Sequence, residues 1–536
     1  MRRAVIIILL WGALGTPAFA RGPIVDRYGQ ARSADGPRVS KDQDLRADVA
    51  AEEAILKQNP ASKDYDQYGG YLKAGWREKP TGFFRIAKHT GYWWLITPQG
   101  NPCFYLGVDV FPAQVWETTP VTGREGLFAG LPGRKDKVFA PAWSKNEWGV
   151  TDGTEYYCHY TANLIRKYGK KDWRKQAEAR GLERLRAWGF SGAGKWSTSG
   201  ACVYAPVLSL GRFAPAQGMP DINNPFLRAQ IEGSIRAQVA PHKNDPRLLG
   251  WSVGNEAEMI VTKEHVLEML KLPAEAPAKV SLIDYAVVTM YDGSLARLKK
   301  AWKVEAPNRV VLYGLSPTPP EGEVEKLRRF LADRFYDLVY KSVKEADPNH
   351  LYLGSWIMPE VNAADWDLMA KHCDVIGYDL YARTYDRDAL ERLERGARRP
   401  AICGEFSFPP YYGGQRGFGR FWVPVKDDKE AGELYGRWVK AAAQDPYCVG
   451  LMWFQYHDQP ITGRGPGRGG EAVYGENYAE GLITVTDRPK WDLVTRVREA
   501  NLQAARWRME ASRKPLRPPM ADRDGGVPEG DAQPPQ

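Results

Sequence analysis

A chain of 536 residues with 43% hydrophobic residues and 19 Trp has the material for a large core and an aromatic-lined cleft. Its near-average Gly and Pro contents exclude a collagen-like or wholly disordered protein. The net charge of +9 comes from Lys and Arg spread among Asp and Glu without a basic block, which describes a solvated surface rather than a nucleic-acid footprint.

In chain order, residues 1–20 read as a signal peptide. Arg2-Arg3 give a positive start, Ala4 to Leu14 a short apolar core, and Ala18-Phe19-Ala20 a small-x-small cleavage site. The apolar core is too short to cross a hydrocarbon layer of roughly 30 Å, and no later apolar run is long enough. The expectation is an exported protein, secreted or periplasmic, with no membrane span and no nucleic-acid partner. Residues 21–82 form a polar lead-in, loosely attached and either helical or disordered up to Asn59-Pro60. Cys103, Cys158, Cys202, Cys373, Cys403 and Cys448 show no C-x-x-C spacing. Several lie in apolar runs, where buried free thiols are common, so neither zinc nor any other metal is expected.

From residue 83 the pattern changes. Phe83 to Ala87 and Tyr92 to Thr97 bracket a Thr90-Gly91 turn, and a second turn at Pro98 to Pro102 leads into an apolar run. The spacing predicts an antiparallel prelude over 83–102 feeding a buried strand. Strand-like and helix-like segments then alternate, the signature of a parallel α/β architecture. Eight strands are expected at 103–111, 189–197, 202–210, 248–256, 351–357, 373–381, 401–408 and 449–456. The 173–188 segment and the 327–345 segment between them carry apolar residues at helical spacing. Eight β/α repeats over 83–510 predict a (β/α)8 TIM barrel, with sites at the C-terminal ends of its strands. The connections 112–172 and 257–350 exceed simple crossovers and are expected to wall a cleft as rim insertions. A Pro-, Asp-, Gly- and Gln-rich tail at 511–536 reads as disordered.

Two apolar runs end on glutamates. Leu248 to Glu256 finishes on Asn255-Glu256, and Ala401 to Phe408 carries Glu405 near its end. Strands four and seven face each other across a barrel mouth, so the pair can supply a general acid and a nucleophile. Retaining glycosidases hold two such carboxyls about 5–5.5 Å apart. Glu256, next to an amide directed at a substrate hydroxyl, is the better acid/base, and Glu405 the nucleophile. A strand-end Glu taken singly is often only a salt-bridge partner; two on these strands point to catalysis.

On these residues the chain resembles the retaining (β/α)8 clan A of glycoside hydrolases. More narrowly it resembles the β-agarases of glycoside hydrolase family 50. Besides Gly250 to Glu256 and Gly404-Glu405-Phe406, the resemblance rests on Trp93 to Gly100, Leu185 to Phe190, Trp453 to Pro460, and Gly475 to Tyr478 with Gly481-Leu482. It implies cleavage of β-1,4 galactosyl linkages in agarose or its oligosaccharides, with retention and without a cofactor. Trp453, at the end of strand eight, is the clan's position for an aromatic floor under the sugar.

Further lining candidates are Asn255, Tyr378, Tyr381, Trp196, Trp356, His457 and Gln459, with one of the two tyrosines expected to hydrogen-bond the nucleophile. Gly465 to Gly470 matches G-x-G-x-x-G, but it contains a Pro and no helical pattern follows, so it reads as a loop and not a dinucleotide site. Alternatives left open are a β-galactosidase, a sulfated-galactan hydrolase, which the positive charge favours, and a non-catalytic carbohydrate-binding protein on a barrel scaffold. The oligomeric state is not readable from the sequence.

Overall fold

The computed structural model describes residues 22–33, 38–112, 117–145, 152–198, 200–359, 365–385, 399–411, 425–465 and 475–514. The expected signal peptide at 1–20, residues 466–470 of the Gly-rich motif and residues 515–536 of the expected tail lie outside the described residues, while residues 511 and 512 of that tail end the helix Trp491–Ser512.

Arg85–His89 pairs antiparallel with Tyr92–Ile96, closed by Thr90 and Gly91, whose φ angles of 48° and 83° suit a tight hairpin turn. Pro102–Cys103 adds a third strand. This is the prelude expected at 83–102.

Eight parallel segments follow: β1 (Tyr105–Val108), β2 (Gly192–Ala193), β3 (Val207–Leu208), β4 (Gly250–Val253), β5 (Leu351–Tyr352), β6 (Ile376–Asp379), β7 (Ala401–Phe406) and β8 (Cys448–Trp453). They form two sheets, ordered β6-β7-β8-β1-β2 and β5-β4-β3. Single parallel bridges link the sheets, Gly192 with Val203 and Tyr204 with Leu248 on one side, Ile357 with Tyr378 on the other. The Gly-rich stretch around β2 has little side chain to hold a regular ladder, and Trp196 beyond it takes a φ of 57°. The ladder is accordingly thinnest at β2 and β3.

Alternation along the strands separates two apolar layers. Tyr105, Leu353, Trp356, Ile402, Val449 and Met452 pack together on one face. On the other, Phe406, Trp438 and Trp453 join the layer under the helices. Helix Asp428–Ala443 packs there beside helix Trp491–Ser512, the two joined by Tyr435 donating to Asn501 Oδ1 at 2.6 Å.

The lead-in is docked and not loose. Helix Asp42–Gln58 places Glu52 against Arg184, Nε to Oε1 2.6 Å, and Arg184 also reaches Asp487 at 2.6 Å. Removing one partner from a buried ion network of this kind is costly, so Glu52 ties the helix to a site that tolerates little change. The 257–350 connection carries helices Lys263–Met269, Pro277–Tyr285, Leu295–Trp302 and Arg309–Gly314 before the long helix Glu321–Ala346. The 112–172 connection holds a small antiparallel sheet of Thr119–Pro120, Trp143–Ser144 and Tyr156–Tyr157. Among the described residues no helix is long and apolar enough to cross a membrane.

Candidate active site

The site forms where the chain leaves the C-terminal ends of β1, β2, β4, β6 and β7. After β4 the backbone turns sharply: Gly254 has φ 66° and Glu256 φ 46°. A Cβ on Gly254 would lie 2.4 Å from Met259 Cγ, so only glycine permits the turn that carries Asn255 and Glu256 to the rim. Glu405 follows Gly404 on β7, and Asp379 ends β6. Carboxylate oxygens of Glu256, Asp379 and Glu405 all lie within 4.8 Å of one another.

Lys195, just past β2, neutralises this cluster. Its buried ammonium is 2.6 Å from Asp379 Oδ2 and 2.7 Å from Glu405 Oε1, and it donates to Asn255 Oδ1 at 2.6 Å. Three carboxylates so close are a set able to bind a cation, and here the lysine itself supplies one. Because an ammonium only donates, the Asn255 oxygen must face it, which turns the amide NH2 the other way. Tyr381 donates its hydroxyl to Glu405 Oε2 at 2.6 Å, and Trp196 Nε1 approaches Oε1 at 3.5 Å. Beneath, Asp109 accepts from the Lys195 backbone N–H at 2.6 Å.

The ionisation of these groups follows from burial and proximity. Burial, reinforced by the Glu405 charge and opposed by Lys195, pushes Glu256 up to about 7. Burial also drives Asp109 well above the usual carboxylate range, against the pull of Lys195. For Lys195 the cost of burial is outweighed by Asp379, Glu405 and Asp109, so its charge is held firmly.

Glu256, Glu405, Asn255, Tyr381 and Trp196 therefore come together, with Trp356 beneath them; Tyr378, Trp453, His457 and Gln459 do not. Tyr378 is fully buried against Trp366, ring centroids 5.7 Å apart, because alternation turns it to the opposite face from Asp379. Trp453 is 1% exposed and packs on Phe406 and Tyr435, with Nε1 bound to the Glu480 carbonyl at 2.9 Å. It belongs to the layer under the helices and offers no floor to a sugar. The next residue, Phe454, is 7% exposed and lies under the Arg464 guanidinium at 5.8 Å.

Trp356 supports the cluster from below. A Cβ on Gly404 would sit 2.3 Å from its Cε3, and one on Gly377 2.7 Å, so both glycines make room for the indole. Lys195 Nζ lies 4.8 Å from its ring centroid, a cation–π contact and not a sugar platform. His457 is buried and stacked on Tyr160 at 4.1 Å, and burial keeps its imidazole below its usual range and hence neutral. Gln459 bonds Glu476 and the Tyr478 N–H, holding the chain segment after residue 475.

Lys195, Asp379 and Asp109 are site residues that the sequence reading does not single out. Each is an ionisable residue near the end of an expected apolar strand, and that placement is the signal that could have marked them.

Parallel strands deliver two close glutamates, Glu256 pushed toward neutrality by burial and Glu405 bonded by Tyr381 and Lys195, an arrangement of the kind that glycoside hydrolases use. No protein-family model matches the chain. It is similar to β-agarase B of Vibrio sp. (strain JT0107), 28% identical over 547 residues that cover 89% of this chain and 54% of the relative. β-Agarase A of the same strain is 27% identical over 485 residues, covering 79% of this chain and 46% of the relative. The chain thus spans about half the length of the curated relatives it matches.

Among solved structures, PfGH50B superposes with a TM-score of 0.79 at 25% identity, over 91% of this chain and 75% of that one. An exo-β-agarase gives 0.76 at 24% identity, over 91% and 73%. The chain resembles the β-agarases of glycoside hydrolase family 50 in sequence and in fold.

Proposed function

We propose that the protein is an exported retaining glycoside hydrolase that cleaves β-1,4 linkages of a neutral galactan, agarose or an agaro-oligosaccharide, by double displacement. The carrying observation is the Glu256–Glu405 pair, with oxygens within 4.8 Å of each other. Nearest oxygens this close suit the ~5–5.5 Å carboxyl spacing of retaining enzymes better than the ~6.5–9.5 Å of inverting ones. The similarity to β-agarases supports the substrate.

In the first step the Glu405 carboxylate attacks the anomeric carbon while Glu256 gives its proton to the departing glycosidic oxygen. Tyr381 and Lys195 bond the two oxygens of Glu405 and hold its carboxyl in place for the attack. Once Glu405 is esterified its negative charge is gone, and with it one cause of the raised Glu256 affinity for protons. Glu256 is then ionised and takes a proton from the water that hydrolyses the ester, which restores both groups.

The scaffold for this is a closed (β/α)8 barrel. The ladders and the single bridges, followed in order, run from β1 through β2 to β8 and back to β1, which supports closure. Export rests on the leader-like residues 1–20. A neutral sugar is favoured over a sulfated one because the glutamate pair is lined by carboxyls around a single ammonium that they already bind, so the +9 of the whole chain is not concentrated there.

The test compares wild type with Glu405→Gln for saccharide release from agarose, neoagaro-oligosaccharides, porphyran and an aryl β-galactoside. Release from agarose or its oligosaccharides that falls by ~10³-fold or more in the variant is expected. Turnover confined to porphyran or the aryl galactoside replaces the substrate, and oligosaccharide binding without turnover anywhere favours the binding-protein reading.

A further inference from the structure

Glu480 is completely buried, yet among the described residues neither of its carboxyl oxygens has a hydrogen-bond partner. An orphaned buried carboxyl is costly to keep, and nothing in the mechanism above uses it. Its backbone is held from several directions. The Glu480 carbonyl accepts from Trp453 Nε1 at 2.9 Å. The flanking Gly481 N–H donates to Asp458 at 2.9 Å, and Lys490 ties the Ala479 carbonyl to Asp458, at 2.8 and 2.6 Å. The side chain therefore projects from a fixed platform at the end of β8.

Arg464, the cation that opposes burial at Glu480, is bonded to Glu117 at 2.7 Å and to Glu476 through Nε at 2.8 Å. Trp453, which holds the Glu480 carbonyl, pairs in the sheet with Phe406, the neighbour of Glu405, and Glu480 is near enough to Glu405 and Tyr381 for their charges to act on one another. Burial raises its proton affinity well above the usual carboxylate range, with Arg464 opposing and the neighbouring glutamates adding to it. Protonated or not, the carboxyl offers two oxygens with lone pairs to a ligand.

We propose that Glu480 is a substrate-binding residue whose two carboxyl oxygens hold neighbouring hydroxyls of the sugar ring lying between Glu405 and Glu256. The proposal rests on the glycoside hydrolase reading above. A polyhydroxylated ring is the ligand that would satisfy both oxygens at once, and a carboxyl kept rigid in a buried site has its ordering cost met by folding instead of by binding.

The experiment measures kcat, KM and Tm for wild type, Glu480→Gln and Glu480→Met on neoagarotetraose and on an aryl β-galactoside. Methionine matches the shape and removes the polar atoms, so folding should not suffer, because an apolar isostere in place of an orphaned polar group is neutral or stabilising. The expected result is an unchanged or raised Tm with kcat/KM lower by ~100-fold for Met and ~10-fold for Gln, which keeps one acceptor.

A Met variant within ~3-fold of wild type on both substrates would overturn the proposal, as would Tm and activity falling together in both variants. If Met does not fold, the Gln variant decides by the same criterion. Wild type inert on both substrates sinks the hydrolase reading and this proposal together; wild type active with indifferent variants sinks only the latter.

Discussion

The Lys195 ammonium stands 2.7 Å from the Glu405 carboxylate, with the two side chains 0% and 7% exposed. An ion pair this buried has little water to screen it, so each charge is set largely by the other and by Asp379. Replacing Lys195 by Met leaves the carboxylates without their cation. Breaking a buried pair from one side costs about 3–5 kcal/mol of stability. Denaturant unfolding should show that loss, and kcat/KM should fall because Glu405 loses the ammonium that contacts it. Arg should not rescue, because a planar fork cannot replace a point charge reaching Asp379, Glu405 and Asn255 at once.

The pH profile follows from Glu256. With its proton affinity raised to about 7, it is protonated and competent as an acid below that value and ionised above it. The alkaline limb of kcat/KM should therefore fall near pH 7, and Glu256→Gln should abolish the limb along with most activity on poor leaving groups. Stability carries the same sign. Folding favours the protonated form, so this contribution is full below the unfolded value of about 4.3 and is lost as pH rises through about 7. Glu256→Gln should narrow that loss, which pH-dependent unfolding of the two proteins measures.

Tyr381→Phe removes one donor from Glu405 and leaves the ring in place. A hydrogen bond to a charged group contributes about 1.5–3 kcal/mol, so kcat/KM should fall by ~10- to 100-fold. Steady-state kinetics beside a thermal melt separates this from a folding defect, since Tm should move little.

Gly404→Ala and Trp453→Ala test the packing. The first drives a methyl into Trp356, 2.3 Å from Cε3, and should cost about 1–3 kcal/mol or more together with activity, since the shift falls next to Glu405. The second opens a cavity under the helices and should cost about 3–5 kcal/mol while KM stays near wild type. A large rise in KM for Trp453→Ala would return that indole to the sugar site.

The sequence carries the placement of the eight strands and of both glutamates, because apolar runs of strand length end on them and a glycine precedes each turn or packing contact. It does not carry which face each neighbour takes. Register shifts between Tyr378 and Asp379, and between Cys403 and Phe406, and one step of alternation is enough to send a side chain to the opposite layer. Tyr378 and Trp453 fall on the helix side for that reason, while Asp379 falls in the site. Lys195 escapes notice because the Gly-rich stretch around it has no clear period, and its role depends on carboxylates from two distant strands, Asp379 on β6 and Glu405 on β7.

Early proton NMR of the reducing end released from an agaro-oligosaccharide tests the central claim, that Glu405 attacks the sugar directly. Double displacement at the Glu256–Glu405 pair predicts that the β-anomer appears first and mutarotates afterwards. An α-anomer formed first would mean that water attacks in a single step, and would contradict the role assigned to Glu405.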